Sequence, residues 1–382
     1  MLDCQREKFY LPENQAYLNC AYMSPLLKAV DAIGKKAIEA KRLPYLISGD
    51  DFFTPMEHLK KSFSQLINNH DRDRIAIMPS TSYGISTVTN NINLQKGDNI
   101  IVVDEQFPSN VYPWHVAAAN ANAAMITVKA PTGLERGKIW NERILEAINT
   151  DTKVVAIGHT HWADGTKFDL AAIRKRSREV GALLIIDGTQ SVGALPFDVT
   201  KIQPDALICA GYKWLMGPYS IGVAYFGAYF DGGKPIEENW INRKNSESFA
   251  DLVNYQNQYK KKAGRYSVGE QSNFILVPML RTAINQLNEW QPENIQQYCG
   301  SLITDGLNEL TNLGYTVEDA AYRGNHLFGI RLPDHINQEK LTAKFAQKNV
   351  YVSLRGSAIR VSPHVYNTAS DFEKLVACFE DI

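Results

Sequence analysis

The sequence predicts an α/β protein: a mostly parallel, seven-stranded sheet in a large domain, followed by a smaller α+β domain. Three observations carry that prediction. Seven short, nearly all-apolar runs recur between residues 74 and 226, with helix-length segments between several of them, as strands covered on both faces require. Residues 231–265 then turn polar and rich in Lys, Asn and Glu, with little β signal. From about residue 266 the helical stretches come first and the strands later, a change of rhythm that marks a second unit.

In chain order, PLLKAVDAIGKKAIEAKR (25–42) reads as an amphipathic helix opening with Pro25. The strand candidates are RIAIM (74–78), NIIVVD (99–104), AMITVK (124–129), KVVAIGH (153–159), LLIIDG (183–188), DALICA (205–210) and SIGVAYF (220–226). SYGISTVTNNIN, NERILEAINT and DLAAIRKRSREV supply intervening helices, with Asn141 and Asp169 standing where N-caps belong. This βαβα rhythm gives parallel neighbours joined by helical crossovers. The pair around Lys213 reads as a hairpin that departs from it. VPMLRTAINQLNEW and IQQYCGSLITDGLNELTNLG then read as helices, HLFGIRL and VYVSLR as strands, and ASDFEKLVACFEDI as a closing helix. The expected domains are 20–260 and 261–382, the latter joined by 1–19, with the break near 255–265.

The chain's 382 residues suit two domains. Forty basic residues against 41 acidic ones leave a formal charge of −1, so nothing electrostatic points to nucleic acid or an anionic membrane. With 45% apolar and 21% charged residues the composition is too apolar for disorder. Cys4, Cys20, Cys209, Cys299 and Cys378 are scattered and form no C-x-x-C, which argues against a disulfide framework or clustered zinc site and for a reducing compartment. No apolar run approaches the ~18 residues of a membrane span, and MLDCQREKFYLPE is charged where a secretory signal is apolar. The expectation is a cytoplasmic protein with neither nucleic acid nor membrane as partner.

In an open parallel sheet, ligands bind beyond the carboxyl ends of the strands. The first strand is followed by PSTSYG (79–84), whose hydroxyls and free N–H groups at a helix N-terminus suit a phosphate, although Ser and Thr are also ordinary caps. It is neither G-x-G-x-x-G nor a Walker loop, which counts against dinucleotide-dependent redox chemistry. Asp187 ends the fifth strand, in DGTQS. A buried carboxylate there needs donors or a cation, so it reads either as an Asx turn or as the partner of a cationic ring nitrogen or a metal. After the sixth strand, Lys213 stands in GYKWLMGP. Desolvation lowers a lysine pKa, as a Schiff-base amine needs, and a structural lysine is the alternative.

DGTQSVG (187–193), DALICAGYK (205–213) and GPYSIG (217–222) closely resemble the pyridoxal-phosphate (PLP) site of class V aminotransferases. These are PLP-dependent enzymes of fold type I, in a group with cysteine desulfurases, kynureninases and isopenicillin N epimerases. The resemblance runs from Tyr17-Leu18-Asn19 to Tyr366-Asn367-Thr368. It implies PLP as cofactor, Lys213 as the amine that bonds it and then moves the substrate's Cα proton, and Asp187 opposite the pyridinium nitrogen. At ~4 Å and an effective dielectric of 20 such a pair attracts by about 4 kcal/mol. Gln190 is implied to bond the phenolic oxygen, and Thr81 and Ser82 the phosphate. Tyr212 precedes the Lys as in kynureninases, where desulfurases carry His, and Phe107 in EQFPSNVYPW takes the ring-stacking position.

Arg360 falls at the family's substrate-carboxylate position, where a guanidinium binds bidentately. Ser272, in the segment from Arg265 to Asn273, is implied to reach the neighbouring subunit's phosphate in a homodimer with shared sites. His159 is placed near the cofactor, Trp162 as a pocket wall where the family often has Asn, and Asn19 and Tyr22 along the substrate pocket. His159 and His161 form an H-x-H pair without an accompanying carboxylate set, so no metal is expected. Only four residues separate Arg355 from Arg360. Desulfurases of this type carry a longer loop there with a nucleophilic Cys, so a persulfide mechanism is disfavoured. The implied reaction begins with Cα deprotonation of an L-amino acid. Transamination is the family default, and a Cβ-cleaving lyase or an epimerase is the alternative toward which Tyr212, Phe107 and the short loop lean.

Overall fold

The strands are β1 (Ala16–Tyr17), β2 (Ile75–Met78), β3 (Asn99–Val103), β4 (Ala124–Val128), β5 (Thr152–Gly158), β6 (Leu183–Asp187), β7 (Ala206–Ala210), β8 (Gly222–Phe226), β9 (Thr316–Val317), β10 (Phe328–Arg331), β11 (Val350–Tyr351), β12 (Ser353–Arg355) and β13 (Ala358–Val361). The helices are α1 (Lys28–Ala40), α2 (Thr54–Leu66), α3 (Thr81–Thr89), α4 (Tyr112–Ala121), α5 (Arg136–Ala147), α6 (Leu170–Glu179), α7 (Val199–Ile202), α8 (Leu276–Trp290), α9 (Pro292–Asn312), α10 (Gln338–Gln347) and α11 (Ala369–Val376). They come from a computed structural model that describes residues 2–133, 135–333, 335–380 and 382.

Strands β2 to β8 form one seven-stranded sheet in the order β2-β8-β7-β6-β5-β3-β4. It is parallel from β4 through β7, and β8 runs antiparallel to both β7 and β2. The connection 211–221 that carries Lys213 is too short for a helical crossover, so the chain reverses there as a hairpin. Alternation along each strand splits the core in two. On one face Ile101, Val155, Ile157, Leu184, Ile186 and Leu207 pack with Phe63, Trp140 and Ile173 and, from α8, with Leu280, Ile284 and Leu287. Ile100, Val102, Val154, Ala156, Ile185 and Ile208 pack with Ile85, Val88 and Trp114 on the other. Only β4, at the edge, is largely exposed.

A separate four-stranded antiparallel sheet, β12-β13-β10-β9, shares a third core with α9, α10 and α11. The N-terminal segment joins it: Ala16 and Leu18 lie in that core, and β1 pairs in parallel with β11. No helix of the described residues is long and apolar enough to cross a membrane.

Three local expectations change. The first helix begins at Lys28, not Pro25. Asn141 is not an N-cap but a buried residue inside α5. Its amide donates to the carbonyls of Gly137 (2.8 Å) and Lys167 (3.2 Å) and accepts from the Asp169 N–H (2.7 Å). It therefore steadies the entrance to α6, which Asp169 itself caps by accepting from the Ala172 N–H at 3.0 Å. The run VYVSLR is not one strand: β11 and β12 divide it between two sheets.

Candidate active site

The carboxyl ends of β5, β6 and β7 and the start of α3 surround a cleft open to solvent. Thr81, Phe107, Trp162, Asp187, Gln190, Tyr212 and Lys213 all line it. Chain connections that leave the strands on this side bring together residues far apart in sequence.

Lys213 is 6% exposed. Its Nζ lies 5.2 Å from the Phe107 ring centroid and 5.5 Å from that of Tyr212. Among the described residues no carboxylate comes within ion-pair distance of it. Burial lowers its pKa to about 8, the Asp187 charge opposes that fall, and Arg360 and Arg355 add to it. About one amine in ten is then neutral at pH 7.

Asp187 accepts the Thr189 N–H at 3.0 Å. Burial raises its pKa, and the Thr189 hydrogen bonds and the Lys213 charge pull it back. A cation beside it removes the reason for that rise. The Thr189 hydroxyl also accepts the Ala210 N–H (3.1 Å) and lies 3.3 Å from the Thr81 hydroxyl. Thr189 thus ties the ends of β6 and β7 to the start of α3. Sequence reasoning misses it, although it stands inside the DGTQ run. The Gln190 amide accepts from Trp214 Nε1 (2.9 Å) and donates one N–H to the Ala21 carbonyl (3.2 Å), which leaves its second N–H for a ligand.

Helix α3 opens at Thr81, with the Ser80 hydroxyl accepting the Tyr83 N–H at 3.2 Å. The other first-turn N–H groups suit an anion. The Ser82 hydroxyl donates to Ser109 at 3.1 Å and is not part of the cleft wall. Phe107 and Trp162 meet edge to face with centroids 5.5 Å apart, and Trp162 Nε1 donates to the Glu105 carbonyl at 2.6 Å.

Arg360, on β13, is 1% exposed. Its Nη1 donates to the Trp162 carbonyl at 2.8 Å, and its buried Nε has no partner among the described residues. Burial, then the Arg355 charge, lower its pKa to about 9. A buried cation without an anion is costly, and an incoming carboxylate relieves that cost.

Six expected residues stand apart from the cleft wall, Ser82 and Arg360 among them, Arg360 reaching it only through the Trp162 carbonyl. The Ser272 hydroxyl donates to the Phe52 carbonyl at 2.9 Å. Asn19 accepts from the Ser353 hydroxyl at 2.9 Å, and Tyr22 is 56% exposed. His159 corrects the expectation that placed it beside the cofactor. Strand β5 ends at Gly158, and alternation sends Gly158 and Thr160 to the cleft but His159 to another cavity, against Phe197 at 5.8 Å. Burial lowers its pKa to about 3 and keeps it neutral.

His161, by contrast, lines the cleft, so the two histidines of H-x-H do not face one ligand. His161 Nδ1 lies 3.1 Å from Asp164, which also accepts from Arg136 (3.0 Å) and Arg331 (2.6 Å). Among the described residues no group of three or more His, Cys, Asp or Glu could hold a metal ion.

The cleft fits PLP: an amine of lowered pKa, an aromatic face, a buried carboxyl awaiting a cation and a helix N-terminus converge on it. The family model for aminotransferase class-V matches residues 48–375. YcbU of Bacillus subtilis (strain 168), described as an uncharacterized aminotransferase, is 24% identical over 321 residues, 84% of this chain and 82% of that protein. A cysteine desulfurase of Shigella sonnei (strain Ss046) is 31% identical over 173 residues, which cover 44% of this chain and 42% of that protein. Among solved structures, the cysteine desulfurase CsdA of Escherichia coli matches with a TM-score of 0.80 at 20% identity, over 98% of this chain and 96% of that one. The cystine C–S lyase C-DES, in complex with its product cysteine persulfide, matches with a TM-score of 0.83 at 17% identity, over 97% and 98%. These two likenesses establish the fold, that of PLP-dependent enzymes of fold type I. The family match together with the converging cleft residues places this chain in the class V aminotransferase family, with pyridoxal phosphate as its cofactor.

Proposed function

We propose that the protein deprotonates the Cα of an L-amino acid and completes a transamination. The Lys213 amine carries this reading: it faces Phe107 in the cleft, lacks a carboxylate partner among the described residues and has a pKa lowered to about 8. When bound, PLP supplies an electron sink for the charge that develops at Cα. Thr81 and the α3 N–H groups hold its phosphate, Asp187 its ring nitrogen, Gln190 its phenolic oxygen and Phe107 its face. Arg360 fixes the substrate α-carboxylate and thereby turns the Cα–H bond toward Lys213. Lys213 Nζ takes the Cα proton and would pass it to the cofactor's aldehyde-derived carbon, so that the amino group stays behind on pyridoxamine phosphate and the substrate leaves as a 2-oxo acid. Phe107 and Trp162 exclude water from that transfer. Assembly as a homodimer, with Ser272 serving the neighbouring site, and a cytoplasmic setting belong to the same proposal.

The test is incubation of the yellow protein with single L-amino acids and no 2-oxo acid. Transamination converts the bound cofactor stoichiometrically to pyridoxamine phosphate. Product formation without that conversion rejects it in favour of a second reading, a Cβ-cleaving lyase. That second reading has support in the fold shared with C-DES and in the turn between β12 and β13, Gly356-Ser357, which contains no cysteine. Burial also raises the thiol pKa of Cys20, Cys209, Cys299 and Cys378, which disfavours any of them as a persulfide carrier.

A further inference from the structure

Strands β12 and β13 form a hairpin in which Ser353 pairs with Arg360 and Arg355 with Ala358. Gly356, at φ +56°, makes the tight turn. Paired residues and those two apart share a face, so Arg355 and Arg360 are diagonal neighbours on one side of the sheet, within reach of long side chains. Both meet Trp162: Arg360 donates to its carbonyl at 2.8 Å, and the Arg355 guanidinium lies 5.5 Å from its indole ring. Trp162 packs on Phe107, and Phe107 faces Lys213. Two guanidinium groups therefore meet one residue of the cleft wall, Trp162, without lining the cleft themselves.

Neither is neutralised. Among the described residues no carboxylate comes within ion-pair distance of Arg355 or Arg360, and the Nε of each is buried without a partner. The Arg355 Nη1 donates only to the adjacent Leu354 carbonyl at 2.8 Å. The two charges repel, and Arg355 contributes to the lowered pKa of both Arg360 and Lys213. An α-carboxylate on Arg360 answers one cation and leaves the other free.

We propose that Arg355 binds a second carboxylate, so that the preferred substrate is a dicarboxylic amino acid. This rests on the reading of the cleft as an amino-acid site and names its substrate class. Arg360 takes the α-carboxylate, and Arg355, nearer the exposed turn, takes the side-chain carboxylate.

The test compares kcat/KM for L-aspartate and L-glutamate with that for L-asparagine and L-glutamine in the holoenzyme. Losing a charge-assisted pair costs on the order of 30-fold, so Arg355→Gln lowers the acid-to-amide ratio by about that factor, and Arg355→Lys by less. Calorimetric titration of the wild-type holoenzyme with succinate, glutarate and butyrate gives a readout independent of turnover, the dicarboxylates binding at least about tenfold tighter. An acid-to-amide ratio at or below one, or a ratio unchanged by Arg355→Gln, overturns the assignment. Amides that turn over without any preference for the acids remove Arg355 and leave the amino-acid reading intact. If no amino acid reacts, that reading falls, and the calorimetry alone decides Arg355.

Discussion

Replacing Arg360 with Met separates the stability of the protein from its chemistry. The Arg360 pKa falls from its ordinary value to about 9, chiefly through burial. Each pH unit of such a fall represents about 1.4 kcal/mol, so holding the charge in the ligand-free protein costs on the order of 5 kcal/mol. The sign follows from linkage. A base whose pKa is lower in the folded state carries its full penalty below that folded pKa, and the penalty shrinks as pH rises past 9 toward the unfolded value. At pH 7 it is therefore present in full. Met removes it but leaves the Trp162 carbonyl without its donor, a loss of about 1–3 kcal/mol. The balance favours Arg360→Met by roughly 2–4 kcal/mol, a rise of several degrees in Tm. Thermal unfolding at pH 7 without amino acids measures it, and KM for α-carboxylate substrates should rise at least about 100-fold in the same variant. A Tm that falls by more than a degree would show that the buried guanidinium is not an unanswered charge, and the reasoning would fail.

Three further outcomes follow from the same geometry. Borohydride should fix the chromophore of the yellow parent, while Lys213→Ala stays colourless; equal colour in both removes Lys213 from the cofactor. Because a neutral amine is needed to capture an aldehyde, PLP uptake by the cofactor-free protein should accelerate through about pH 8 and then level off; a rate flat from pH 6 to 9 refutes the lowered pKa. Burial alone would raise the Asp164 pKa, but His161, Arg136 and Arg331 outweigh it and hold the carboxyl well below the usual range. Its contribution is thus present at neutral pH and lost as pH falls below the ordinary carboxylate value. Asp164→Ala should cost about 3–5 kcal/mol in denaturant unfolding at pH 7, and a loss under 1 kcal/mol would contradict that role.

Six of the seven strands of the large sheet were readable because strands buried on both faces are near-continuous apolar runs, and β4, on the exposed edge, kept enough of that character in AMITVK to be read with them. The hairpin at Lys213 was readable from its short connection. Helix α4 escaped notice: with Pro113 in its first turn and only Trp114 and Ala118 buried, it has no apolar stripe to detect. At the site, Asp187, Gln190 and Lys213 stood out because each is locally anomalous, a polar group at the end of an apolar strand. His159 and His161 could not be sorted that way. On a continuing strand the two would share a face, but β5 ends at Gly158 and the turn that follows sends His159 and His161 to different cavities. Arg355 served in the sequence only to bound a short loop, and the hairpin register is what sets it diagonally across from Arg360.

Asp164 grips Arg136 on α5 and Arg331 on β10, and it stands two residues after Trp162, whose carbonyl receives Arg360. The short turn 161–164 therefore works as a rivet between the large sheet and the small one. A tilt of β10 is thus transmitted through Arg331 and Asp164 to the turn whose Trp162 carbonyl holds Arg360, the proposed carboxylate anchor.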